Sequence, residues 1–103
     1  MKLDEYLKRC EKLGYDPKLP PYFDMIVDRA LYQPSVIAEI TKVSTETARR
    51  WFRTKKLTTE TASHTYKVSG RKLKEFLFSL PRIQDPLKAA YPEIFELESK
   101  ANK

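Results

Sequence analysis

The chain is poor in the residue types from which many functional sites are made. It has one cysteine, Cys10, and one histidine, His64, among 103 residues. A single thiol excludes an internal disulfide, and one thiol with one imidazole cannot build a His/Cys metal cluster. Cys10 falls on a predicted helix and reads as a small buried side chain rather than a reactive one. Only two glycines are present, and no phosphate-cradling glycine loop can be drawn from them. There is no Ser/His/Asp ordering and no carboxylate pair at a spacing suited to acid–base work, so the sequence assigns no catalytic residue, no metal and no cofactor. No apolar run approaches the roughly 20 residues that cross a bilayer, and the opening MKLDEYLKRCEK interrupts its apolar residues with charges. The expectation is a non-enzymatic chain without membrane contact, in a reducing cytoplasm.

What is present supports a folded protein: 41% of residues are hydrophobic, 33% are charged and twelve are aromatic. The length suits one domain with a modest core. The net charge of +6 is unevenly spread. Residues 42–74 hold ten Lys or Arg against Glu46 and Glu60, a local balance of +8, and the other seventy residues balance at −2. Local charge sets the potential that attracts phosphates, so the central third points to a polyanion partner.

Within that third lies VSTETARRWFRTKKL, residues 43–57. Ser44 precedes a run without Pro or Gly, and its hydroxyl can accept from the N–H of Glu46 or Thr47, which predicts a helix from Thr45 to about Thr54. Stepping about 100° per residue puts Ala48, Trp51 and Phe52 on one arc and Glu46, Arg49, Arg50 and Arg53 on the opposite one. Trp51, beside Ala48 and Phe52, reads as core. Exposed arginines alone would read as a solvated helix face, and it is their context that raises a binding role.

That context is mainly helical. Leu3, Tyr6, Leu7, Cys10 and Leu13 recur at helical steps, with Gly14 where a left-handed cap belongs. After the proline-rich YDPKLPP, the residues Phe23, Ile26, Val27, Ala30 and Leu31 predict a second helix over about 22–32. Pro34 opens a short helix with Gln33 or Ser35 as the capping candidate, and Ile37 and Ile40 form its apolar side. LTTETASHTYKV alternates like strands and predicts a hairpin turning near Ala62, Ser63 and His64, with Tyr66 and Val68 on one face. Ser69 caps a further helix carrying Leu73, Phe76, Leu77 and Leu80 as far as Pro81. Asp85-Pro86 and Tyr91-Pro92 read as two proline-initiated starts, and the stretch with Ile94, Phe95 and Leu97 fits a packed terminal helix and a partner-binding tail equally well.

AEIT-K-VS, then ETARRWFRTKKL, then a hairpin ending in YKVS and a helix finishing in KEFL resemble the winged-helix DNA-binding domain shared by phage excisionases and MerR-type regulators, over about Ala38 to Leu77. The resemblance implies a mainly α fold with a small β-hairpin wing. In this reading residues 1–33 are extra N-terminal helices, 34–80 the winged helix-turn-helix and 81–103 a C-terminal helical tail, all within one compact domain. The 22 residues after Pro81 are too short and proline-interrupted for the long MerR-type coiled coil. Lys42 and Lys55 stand where this family commonly has glycine, so either the turns are not left-handed or strain is tolerated for charge near phosphate.

In such domains the second helix enters the major groove while the wing touches backbone or minor groove. That geometry assigns base reading to Thr45, Glu46, Arg49, Arg50 and Arg53, with Arg49 and Arg50 foremost because a guanidinium can bond guanine O6 and N7 together. It assigns backbone and wing contacts to Ser44, Lys55, Lys56, His64, Thr65, Lys67, Arg71 and Lys72. The implied function is sequence-specific binding of double-stranded DNA in a bacterial or phage-infected cell, associated with the nucleoid. Self-association or cooperative binding would extend the short site. A recombination directionality factor that touches a recombinase and a transcriptional regulator both fit. A different class also fits: a protein-interaction or replication-assembly module that binds nucleic acid without sequence preference.

Overall fold

The stripe of Leu3, Tyr6 and Cys10 produces α1 (Leu3–Leu13) by burying one helical face, with Asp4 and Glu5 in the first turn where the helix dipole favours negative charge. In the computed structural model, which describes residues 1–59 and 66–95, α1 ends at Gly14 with φ 72°. The N–H of Tyr15 reaches the Cys10 carbonyl at 2.8 Å and that of Gly14 reaches Glu11 at 3.2 Å, closing the helix in a Schellman motif. The chain divides into two units, residues 1–20 with 77–103 and residues 21–76.

The first unit gathers around Tyr6, which is fully buried. Its ring lies 5.2 Å from Phe78 and 5.8 Å from Phe95, and its hydroxyl donates to the Pro17 carbonyl at 2.7 Å. Burial, with Cys10 beside it, pushes the Tyr6 hydroxyl well above the ordinary tyrosine range. Tyr15 stacks on Tyr91 at 4.7 Å, and the Tyr91 hydroxyl donates to the Asp16 carbonyl. Pro81 both ends the preceding helix and starts α6 (Pro81–Ala90), since a first-turn proline sacrifices no helical hydrogen bond. The expected new start at Asp85-Pro86 is corrected: Pro86 lies inside α6, which is anchored by buried Ile83 and Leu87. Residues 92–95 are helical. Ile94 and Phe95 are buried and Arg9 donates to the Ile94 carbonyl at 2.8 Å, so the terminal stretch is packed as far as it is described.

In the second unit the helix expected over 22–32 is cut to α2 (Tyr22–Met25), and Leu31–Tyr32 form a strand, β1. Phe23 and Ile26 are buried as the pattern implied, whereas Val27 and Leu31 are exposed. Long-range bonds replace the local ladder: β1 pairs antiparallel with β2 (Val68–Ser69), Leu31 opposite Ser69 and Tyr32 opposite Val68. The Val27 N–H donates to the Tyr32 hydroxyl, the Gly70 N–H to Ala30 and the Arg71 N–H to Asp28. Gly70 is required here, because a Cβ would lie 1.9 Å from the Val27 carbonyl oxygen. The fold is thus mainly helical with a small two-stranded sheet, but the described sheet joins β1 to β2 rather than two arms flanking 62–64.

The rest of this unit is α3 (Pro34–Thr41), α4 (Thr45–Arg53) and the start of α5 (Gly70–Ser79). Gln33, not Ser35, occupies the position before α3, with Pro34 in its first turn. Ser69 Oγ accepts from the Lys72 N–H at 3.3 Å, capping α5 as expected. Ile37, Val68 and Leu73 are fully buried.

Candidate nucleic-acid interface

α3 and α4 pack on one another, joined by residues 42–44. The two helices are thus neighbours in space as well as in sequence, separated by a three-residue turn. α3 closes through Lys42, at φ 62° and ψ 33°, with the Val43 N–H reaching the Ala38 carbonyl at 3.2 Å. α4 then opens at Ser44, whose Oγ accepts from the Thr47 N–H at 3.0 Å and shares a hydrogen bond with the Thr47 hydroxyl.

Packing orients α4. Ala48, Trp51 and Phe52 are buried. The Trp51 ring meets Phe76 edge-on at 5.0 Å, and Phe52 stacks on Tyr66 at 5.0 Å. Rotation of the helix is thereby fixed, and Glu46, Arg49, Arg50 and Arg53 come out exposed on the other side. Arg53 pairs with Glu46 along this face. Arg49 and Arg50 have no hydrogen-bond or ion-pair partner for their guanidinium groups among the described residues. Thr45, at the start of the helix, is half-buried.

The end of α4 is built by a second left-handed lysine. Thr54 donates through its N–H and its hydroxyl to the Arg50 carbonyl, and Lys55 at φ 60° turns the chain so that the Leu57 N–H returns to Trp51 at 2.9 Å. Leu57 is buried, a core position that the strand pattern did not single out. Both glycine-like positions are therefore truly left-handed, at a cost of about 1 kcal/mol or more each for a residue with a Cβ.

Lys56, Arg71 and Lys72 are exposed. Lys67 is half-buried, and its N–H donates to Thr59 Oγ1 at 3.2 Å, which ties the two flanks of the expected wing. Residues 58–59 and 66–67 carry no strand, and the expected turn with His64 and Thr65 lies outside the described residues. Lys74 sits 2.5 Å from Asp28, and this bond, assisted by Arg71, holds the Asp28 carboxyl below its ordinary range. Lys42, which was not among the residues nominated for contact, is also exposed and lies just ahead of the α4 cap. Among the described residues no group of His, Cys, Asp or Glu could hold a metal, and no helix is long and apolar enough to cross a membrane.

Comparison of the chain with protein-family models, with curated proteins and with solved structures gives no match.

Proposed function

We propose that this chain is a sequence-specific double-stranded DNA-binding protein of winged helix-turn-helix type, with α4 as its major-groove reading helix. The observation that carries the reading is the state of Arg49 and Arg50: exposed, without a partner among the described residues, and held on the outward face of a capped helix whose other face is buried. A guanidinium held ready in this way donates to guanine O6 and N7 as a pair, discriminating by about 1–3 kcal/mol. Lys55, Lys56 and Lys67 supply sequence-independent phosphate contacts beside it. Glu46, by pairing with Arg53, steadies that arginine at the end of the same face.

One short helix reads only a few base pairs, so the chain acts as a dimer or in cooperative rows on repeated sites. Its biological use is that of an excisionase-like directionality factor working with a recombinase or of a regulator working with the transcription machinery. Selection of bound fragments from a random or genomic DNA pool, followed by footprinting, tests the reading. Direct repeats or a palindrome are the expected outcome. Recovery of no motif at all would overturn sequence-specific recognition and favour a loosely binding assembly module.

A further inference from the structure

We infer that Lys42 and Lys55 form a pair of phosphate clamps, one beyond each end of α4, that grip the two strands bordering the groove α4 enters. The inference rests on the duplex-binding reading above.

Four described residues have left-handed backbone: Gly14, Lys18, Lys42 and Lys55. Glycine takes this conformation freely, and Asn, Asp and His are the side-chain-bearing residues enriched there. Lysine has no short polar group to bond its own backbone in compensation. The chain uses Gly14 to close α1, yet closes α3 with Lys42 by a bond of the same kind, from Val43 to Ala38. Backbone preference therefore does not account for lysine at position 42, nor at 55.

The ammonium groups give a reason. Neither Lys42 nor Lys55 has a partner among the described residues. Lys55 borders an apolar groove of about 340 Å³ with Phe52, Leu57, Thr58, Thr59 and Tyr66, none of which, among the described residues, offers it a carboxylate. Lys18 differs, since its Nζ lies 5.3 Å over the Tyr91 ring. Lys42 stands two residues before the Ser44 cap and Lys55 directly after the Thr54 cap, so they bracket the helix carrying Arg49 and Arg50. The nine residues of α4 span about 14 Å, comparable with a major groove about 12 Å wide. A side chain beyond each end therefore reaches toward a different strand. The backbone hydrogen bonds of the two turns fix where each lysine leaves the chain, which reduces the freedom lost on gripping a phosphate.

The test uses the full chain with Lys42→Gly, Lys55→Gly, the double variant, the charge-retaining Lys42→Arg and Lys55→Arg, and Lys18→Gly as an internal control. Melting is measured for each, with binding to a labelled random-sequence duplex by fluorescence anisotropy over a range of salt. Glycine at any of the three positions raises the melting temperature. At 42 and at 55 it also lowers the slope of log affinity on log salt by about 0.9 per lysine, alike for all sequences, whereas arginine preserves the slope. Lys18→Gly leaves the slope unchanged. A double glycine variant that melts higher and keeps the full slope overturns the clamps alone. Wild-type protein that binds no duplex even at low salt overturns the clamps and the DNA-binding reading together.

Discussion

Residues 1–20 with 77–103 and residues 21–76 distribute their charges differently. The first unit's sequence holds nine basic and eight acidic residues, a balance of +1, and the second holds eleven and six, a balance of +5. In the first, Arg9 bonds Glu5 and the Ile94 carbonyl, Lys18 lies over Tyr91 and Lys88 over Phe95. In the second, Arg53 and Lys74 are paired, but Lys42, Arg49, Arg50, Lys55 and Lys56 have no partner among the described residues, and all five sit on α4 or in the turns beside it. A cation satisfied within the fold contributes to structure; one left open beside others of its sign adds repulsion and gives nothing back unless an anion arrives. Lys2, Lys8, Lys12 and Arg82 of the first unit and Arg29 and Lys67 of the second also have side chains without a partner among the described residues, so the contrast is one of clustering: five open cations stand together on one helix and its turns.

The largest way to break this contrast is at Gly70, which the second unit needs and the first does not contain. Gly70→Ala drives a Cβ into the Val27 backbone and disturbs the bonds that the Gly70 and Arg71 N–H groups make to Ala30 and Asp28. Urea unfolding should show a loss of about 3 kcal/mol, with duplex binding lost in step. Stability within about 0.5 kcal/mol of wild type would mean that the close approach is not required.

Arg50→Ala addresses the open charges directly. It should cost about 1–3 kcal/mol of discrimination at one base pair while leaving stability within about 0.5 kcal/mol. The measurement is a competition between the selected site and single-base variants of it. A uniform loss across all of them would place Arg50 on the backbone instead.

The smallest effect belongs to the first unit. Tyr6→Phe removes the hydroxyl bonded to Pro17, for about 1 kcal/mol, and should leave DNA binding untouched. The sign of its pH dependence follows from the raised pKa: burial favours the neutral hydroxyl, so its stabilisation is whole below the ordinary value near 10 and is lost as pH climbs beyond it. Denaturation followed from pH 8 to 11 should show a steeper alkaline decline in wild type than in the variant. Parallel curves would remove Tyr6 as the cause.

Much of this could be read from the chain where a local rule dictates the structure. Gly14, Ser44 and Ser69 act where their capping chemistry placed them, and the division of α4 into a packed arc and a charged arc followed from its period. The misreadings arose where distant partners intervene. Phe23, Ile26, Val27 and Leu31 have helical spacing, yet β2 recruits Leu31 and Tyr32 into a sheet by pairing them with Ser69 and Val68, far along the chain. Pro86 looked like a start because a proline suits a first turn, but Ile83 and Leu87 bury the helix on either side of it. Lys42 and Lys55 could not be resolved from sequence, since lysine states nothing about φ; only the backbone shows that both turns are left-handed.

Arg49 and Arg50 are proposed to read bases while the fold holds them out. The most direct test is the ratio of affinities for a selected site and a random duplex at matched salt, in wild type and in the Arg49→Ala/Arg50→Ala double variant. The double variant is expected to melt like wild type, with its ratio collapsing toward one. A double variant that is equally well folded and keeps the wild-type ratio would contradict base reading by the pair.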